Sequence, residues 1–263
     1  MNRKKDLLLD KIIQRYIESQ EPIGSESLKM SLSIKISSAT IRNYFKVLSD
    51  EGILMQTHIS SGRIPTYIAL KNYWRNKIHY QDTCLQTNIQ KFQKACQENG
   101  IFGIIKEKNT QTLKDVLNHD NQFLILVFED DQIALPFNHS IERFVKELIG
   151  LEIEDIKKIA YQVCAMSLVK KLEKATQTPK LHYSGIKFLS FMLEYQEFQK
   201  LFFEIIEGKI FDKLDKGIYF EKTIPQGNIG IMQDIKLQEK NARMFCVGKL
   251  DKNYANFYEE IAS

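Results

Sequence analysis

Three side chains on one stretch of the chain carry the chemistry of base recognition. Arg42, Asn43 and Lys46 lie within "SATIRNYFKVLSD", residues 38–50, with Ser38, Ala39 and Thr40 at its start. Arginine pairs bidentately with a guanine edge and asparagine with an adenine edge, and the N-terminal residues of a groove-entering helix are the ones that reach the bases. A second group follows in "HISSGRIPT", His58 to Thr66. Ser60, Ser61 and the Gly62 N–H can donate to phosphate, and Arg63 can pair with phosphate or enter a narrow minor groove. Gly62 is expected to take a positive φ and so to let the turn approach closely. An arginine at the tip of a solvated Gly/Ser turn adds little to a core. It is either idle or reaching for something.

These groups need elements to hold them. Leu8, Leu9, Ile12, Ile13, Tyr16 and Ile17 recur at three- and four-residue spacing and predict a helix over Asp6–Glu18. Pro22 and Gly24 break it. A short helix is expected over about Ser25–Met30, with Ser25 as its N-cap. After the linker "SLSIK", Ser37 or Ser38 caps a helix running to Asp50, and Gly52 stops it. At about 100° per residue, Ile41, Phe45 and Leu48 fall on one face and Ala39, Asn43, Lys46 and Asp50 on the opposite one, with Thr40 and Arg42 flanking. "ILMQTHI" reads as a short strand. "RIPT" supplies a second, where Pro65 fits an edge or an end, and Thr66 can cap a helix in "YIALKNYWRN". Helix, helix, helix and a two-stranded ribbon is the order of a winged helix-turn-helix. Alone, Arg42 and Lys46 would pass for an ordinary solvated face. The helix and turn before them and the wing after them favour groove reading.

Charge agrees. The net charge is only +4, but residues 1–78 hold 13 Lys+Arg against 7 Asp+Glu, so the positive excess lies in the first third of the chain. That asymmetry suits a nucleic-acid-binding module joined to a neutral regulatory or dimerising part, and equally a basic solvated face. The longest apolar run, "FLILVF" at 123–128, is far too short to span a bilayer and reads as a buried strand. The basic, amphipathic N-terminus lacks a small-residue cleavage site, so no signal peptide and no membrane partner are expected. Four scattered cysteines without a CxxC read as reduced core thiols in a cytoplasmic protein.

Catalytic constellations are missing from the sequence. The five histidines (58, 79, 119, 139 and 182) form no metal-spaced pair, and there is no Walker loop, GxGxxG or Gly-x-Ser-x-Gly elbow. "EDD" at 129–131 could imitate a metal site, and a hairpin tip is the expected reading. The expectation is no catalytic residue, no metal and no cofactor.

Three motifs in order, "EPIGSESL", "SSATIRNYFKVLSDEGIL" and "THISSGRIPT", resemble the signatures of the HrcA family of bacterial heat-inducible transcription repressors. The resemblance is dense over residues 20–74. It continues more weakly but collinearly through "LHYSGIKFL", "YQEFQKLFFEII", "GNIGIM" and "FCVGKLDKNYANFYEEIAS". Where the family carries an Arg-Met pair, this chain has Asp251 and Lys252, and it is shorter than is usual in the family. The resemblance implies an α+β fold: an N-terminal winged-helix DNA-binding domain (1–77), a connector helix (78–99), and a GAF-like α/β domain (100–263) with a dimerisation element inserted within 140–215. It implies a homodimer on double-stranded DNA, at an inverted-repeat operator upstream of chaperone operons. It also implies a chaperonin partner, GroEL, that keeps the repressor active.

From the residues themselves, 78–97 looks helical and moderately polar. "IFGIIKE", "FLILVFE" and "QIALPF" read as strands, with "DDQ" turning between the last two. Residues 140–175 are mostly helical with a break near Gly150. Phe188, Phe191, Tyr195, Phe198 and Phe202 step by three and four, forming one wide apolar face that suits either core packing or a dimer contact. "GNIGIMQDI" and "ARMFCVGKL" are late strands. Rival functions are a small-molecule-responsive winged-helix regulator, an enzyme with a nucleic-acid-binding appendage, and an interaction protein using the winged helix for protein contacts. The release signal is either temperature acting on the chain itself or the supply of chaperonin.

Overall fold

A computed structural model describes residues 3–32, 36–58, 62–78, 85–108, 111–129, 131–176 and 180–262. The chain divides into two compact units. A core unit contains residues 1–105, 182–239 and 243–263, and an inserted unit contains 106–181 with 240–242.

The core unit begins with four helices and a small ribbon: α1 (Arg3–Ser19), α2 (Ser25–Ser31), α3 (Ser38–Asp50), β1 (Leu54–Met55), β2 (Ile64–Pro65) and α4 (Tyr67–Lys77). The expected stripes close on each other. Leu8 and Ile12 of α1, Leu28 of α2 and Ile41, Phe45 and Leu48 of α3 pack with Ile23 and Leu54 into one buried cluster. α2 starts at Ser25 as expected, but the expected Ser25 cap is not found. Gly24 is its N-cap, Ser25 lies inside it, and the Ser27 hydroxyl donates to the Gly24 carbonyl at 3.0 Å. Gly52 ends α3 in the left-handed region, φ +70°. Its N–H reaches Ser49 O at 3.0 Å and the Ile53 N–H reaches Leu48 O at 2.9 Å, a glycine-terminated helix end. β1 and β2 pair antiparallel, Leu54 opposite Pro65 and Met55 opposite Ile64, a much shorter ribbon than "ILMQTHI" predicts.

The rest of the core unit is a sheet with helices: β3 (Leu85–Thr87), α5 (Ile89–Asn99), β4 (Phe102–Glu107), and later β8, β9, β10, β11 and α11. Residues 78–99 are therefore not one connector helix. Leu85–Thr87 pairs in parallel with Ile235–Leu237, and Asn88 caps a separate helix, accepting from the Lys91 N–H at 2.9 Å. A strand is stabilised here by a partner about 150 residues away, a signal that local periodicity does not carry.

The inserted unit comprises β5 (Asp115–His119), β6 (Phe123–Val127), β7 (Gln132–Pro136), α6 (His139–Lys146), α7 (Ile153–Gln162) and α8 (Met166–Thr176). The strands form an antiparallel meander, Leu117 opposite Ile125 opposite Ala134. One face (Val116, Leu124, Leu126, Ile133 and Leu135) packs in a single buried cluster with Val145, Ile156, Leu168 and Leu172 of the helices. "FLILVF" is thus buried on one side only: Phe123 is 47% exposed, because the helices cover a single face. β5 was not expected from sequence.

The chain returns to the core unit through β8 (Leu181–Ser184), two 3-10 turns (Ile186–Phe188 and Ser190–Glu194), α9 (Gln196–Ile206), α10 (Ile210–Lys213), β9 (Gly217–Tyr219), β10 (Asn228–Leu237), β11 (Lys240–Lys249) and α11 (Tyr254–Ala262). The larger sheet has the order β3-β10-β11-β4-β8, with β9 also on β10. β4 and β8 are hydrogen-bonded neighbours, so the excursion leaves and re-enters the sheet at adjacent strands. The insertion accordingly spans 106–181 rather than lying within 140–215. Nor is the aromatic run one helical face: Tyr195 is extended (φ −112°, ψ 113°) and interrupts it, so the spacing from Phe188 to Phe202 does not follow a single 3.6-residue repeat. What that segment buries is Leu189, Met192 and Ile205.

Candidate nucleic-acid interface

α3 is presented by its neighbours rather than by its own outer face. Ser37 caps it. Its hydroxyl oxygen accepts from the Thr40 N–H at 3.1 Å and lies 2.8 Å from the Thr40 hydroxyl. This satisfies one of the free N–H groups of the first turn. Ile41, Phe45 and Leu48, 0%, 5% and 1% exposed, hold the inner face in the core. Ala39, Thr40, Arg42, Asn43, Lys46 and Asp50 are all exposed on the outer side. The outer face therefore offers a methyl, a hydroxyl, an amide and two cations near a helix N-terminus, where the macrodipole also favours an anion.

Ser38 departs from the expectation. It is 8% exposed, turned into the bundle as the first helical residue, and so cannot contact a groove in this conformation. Val47, 38% exposed beside Asn43 and Lys46, is an outward residue that the sequence reading did not name.

The ribbon side differs more. Ser60 and Ser61 lie outside the described residues. Arg63 is not at a free tip. Its backbone bridges Ile23 in both directions at 2.9 Å, tying the second strand to the loop between α1 and α2. Its Nε is buried without a hydrogen-bond partner, an unsatisfied donor of the kind that a ligand can complete. Gly62 does not take a positive φ. Its need is space: a Cβ there would stand 2.5 Å from the Ile23 carbonyl carbon and oxygen and 2.8 Å from the Pro22 carbonyl carbon. Glycine is required by approach to the chain's own backbone.

Elsewhere the chemistry is quiet. Burial pushes the Cys96 thiol up to about 12, against a lowering hydrogen bond with Ser184, and burial also raises Cys246. Both are poor nucleophiles in the fold. Among the described residues there is no group of three or more His, Cys, Asp or Glu placed to hold a metal, and no helix is long and apolar enough to cross a membrane.

Comparison with known proteins bears on this arrangement. A family model described as the HrcA C-terminal domain matches residues 74–263. Heat-inducible transcription repressors HrcA from two strains of Helicobacter pylori are each 34% identical over 98% of this chain and 94% of their own length. The namesake of Chlamydia pneumoniae is 37% identical over 45% of this chain and 30% of its own. A crystal structure titled only as a hypothetical protein aligns with a TM-score of 0.54 at 18% identity, covering 99% of this chain and 95% of that one, which speaks to fold alone. Full-length identity to two repressors and a family match across most of the chain agree: this chain belongs to the HrcA family of heat-inducible transcription repressors.

Proposed function

We propose that this repressor binds double-stranded DNA through a winged helix-turn-helix in which α3 enters a major groove. The observation that carries the proposal is the division of α3 into a buried side (Ile41, Phe45 and Leu48) and an outward side of Ala39, Thr40, Arg42, Asn43 and Lys46. Arg42 and Asn43 supply base-edge pairing, and Lys46 and Arg63 supply phosphate or minor-groove contact. Ser60 and Ser61, outside the described residues, are assigned to phosphate contact in the same scheme. Transcriptional repression of heat-shock genes is the role that the family name carries.

The operator in this proposal is an inverted repeat read by a homodimer, its half-sites separated by about one helical turn, roughly 34–36 Å, or a multiple of it. Two exposed apolar faces support self-association: Leu117 and Phe123 on the open side of the inserted sheet, and Leu193, Tyr195 and Phe203 in the 190–203 segment. The inserted sheet is our dimer face, as the counterpart of the family's dimerisation element. The second face is then available to the chaperonin partner that the resemblance implies. Phe123→Glu should give a monomer by sedimentation, with Phe203→Glu still dimeric; the reverse would transfer the dimer contact to the 190–203 segment. The GAF-like domain is proposed as the regulatory part.

A salt series with an inverted-repeat duplex from a chaperone operon, beside a scrambled duplex, tests the central claim. Specific binding should exceed non-specific binding by roughly a thousandfold or more and weaken steeply with salt. Equal affinity for the two duplexes, with and without chaperonin, would reject it.

A further inference from the structure

α4 joins the candidate reader to the sheet. On one side it belongs to the N-terminal bundle. Its cap residue Thr66 donates to Gly52 O at 2.9 Å, and Lys77 sits 3.3 Å from Asp10 of α1. The opposite side grips the C-terminal part of the same unit. Trp74, the only tryptophan in the chain, is 1% exposed. Its indole N–H donates to Leu250 O at 2.7 Å, and its ring meets Tyr254 edge-on at 5.2 Å. Lys71 pairs with Glu221 at 2.9 Å, and the Arg75 guanidinium lies 4.7 Å over the Phe220 ring. The Tyr67 ring crowds Gly227, where a Cβ would stand 3.1 Å from it. Just past the end of α1, Gln20, held at φ +58°, donates its side-chain N–H to Asp251 O at 2.7 Å. The contacts reach residues 220–227 and 250–254, so the bundle is gripped at several separated points.

We propose that this junction is a spacing gauge. Trp74, Lys71 and Gln20 are positioning residues that fix the direction of α3 against the sheet of the core unit, so the junction adds no tether-like freedom to the permitted half-site separation. The inference rests on α3 reading DNA in a two-fold dimer. Its physical basis is geometric. Inserting one base pair moves a half-site by about 3.4 Å and rotates it by about 35°. A reader on a flexible linker follows such a change at small cost, because effective concentration varies slowly with linker reach. A gripped reader must break buried contacts or give up one half-site.

The experiment measures affinity for inverted repeats whose spacers differ by single base pairs around the tightest-binding length, and for a lone half-site. It compares the full-length protein with Trp74→Phe and with Gln20→Met combined with Glu221→Gln. The native protein should lose about tenfold or more on a one-base-pair change, a fraction of the avidity of linked sites. Both variants should match it on the lone half-site but lose less than about threefold across neighbouring spacers. Acrylamide quenching of Trp74 in the double variant should rise, reporting a loosened junction. Indifference of the native protein to spacer length overturns the gauge, and so does a native spacer profile in both variants, whatever the quenching. The underlying assumptions fail visibly elsewhere: no preference for the repeat over a scrambled duplex rejects DNA reading by α3, and equal affinity for the repeat and the half-site rejects the dimer.

Discussion

α3 and α4 are successive helices of the core unit and of similar length, yet their important faces are opposite in kind. The outer face of α3 is exposed among the described residues, so Arg42, Asn43 and Lys46 are open to selection for a ligand. The outer face of α4 is buried against residues roughly 150–180 positions away, so Trp74 and Lys71 are chosen for the fold. The difference teaches that a face proposed for binding and a face that packs into the fold place separate demands on sequence. One requires exposure and the other burial, and a substitution on each should disturb different observables.

The largest effect should come from emptying the junction. Trp74→Ala is expected to cost about 3–5 kcal/mol of stability, measured by urea unfolding, since it removes a buried indole and leaves Leu250 O without its donor. If stability barely changed, the contrast between the helices would collapse. Next come Arg42→Ala and Asn43→Ala. Each should weaken operator binding by about 1–3 kcal/mol, roughly 5- to 150-fold in a titration, while melting within about 0.5 kcal/mol of the native protein. A loss of stability matching the loss of affinity would mean that α3 has no separate binding face. Ser37→Ala sits between the two cases. Loss of its cap should cost about 1 kcal/mol by thermal unfolding, and DNA affinity should fall with it because the first turn of α3 frays.

The smallest effect is a pH dependence of the junction. Burial alone would raise the Glu221 carboxyl, but the Lys71 hydrogen bond and the nearby cations more than offset this and hold it below its ordinary value of 4.5. A depressed carboxylate contributes above its unfolded value, and the contribution is lost as pH falls through the folded one. Trp74 quenching should therefore rise below about pH 4.5, and Lys71→Met should flatten that rise. An unchanged pH profile in Lys71→Met would assign the acid response to other groups.

Much of the N-terminal bundle was legible because its signals are local. The stripes of α1 and α3, the Ser37 and Thr66 caps and the Gly52 stop all act within a turn or two of helix. Gly62 was legible as a necessary glycine but not for its reason, since the backbone that it must clear belongs to Ile23, 39 residues earlier. The 78–97 segment misled for the same cause: a three-residue strand has no periodicity to read, and only its pairing with β10 makes it a strand. The bounds of the insertion were equally hidden, because they are set by β4 and β8 meeting in the sheet.

By itself, then, the sequence determined the identities and helical spacing of Thr40, Arg42, Asn43 and Lys46, the caps around them and the basic bias of the first third. These follow from backbone hydrogen bonding and side-chain periodicity within a few residues. Tertiary structure alone decided that Ser38 turns inward, that Arg63 is bridged to Ile23 rather than carried on a free tip, and that Trp74 is gripped by Leu250 and Tyr254. Each of those depends on which distant segment supplies the opposing surface, and packing settles that only when the whole core unit closes.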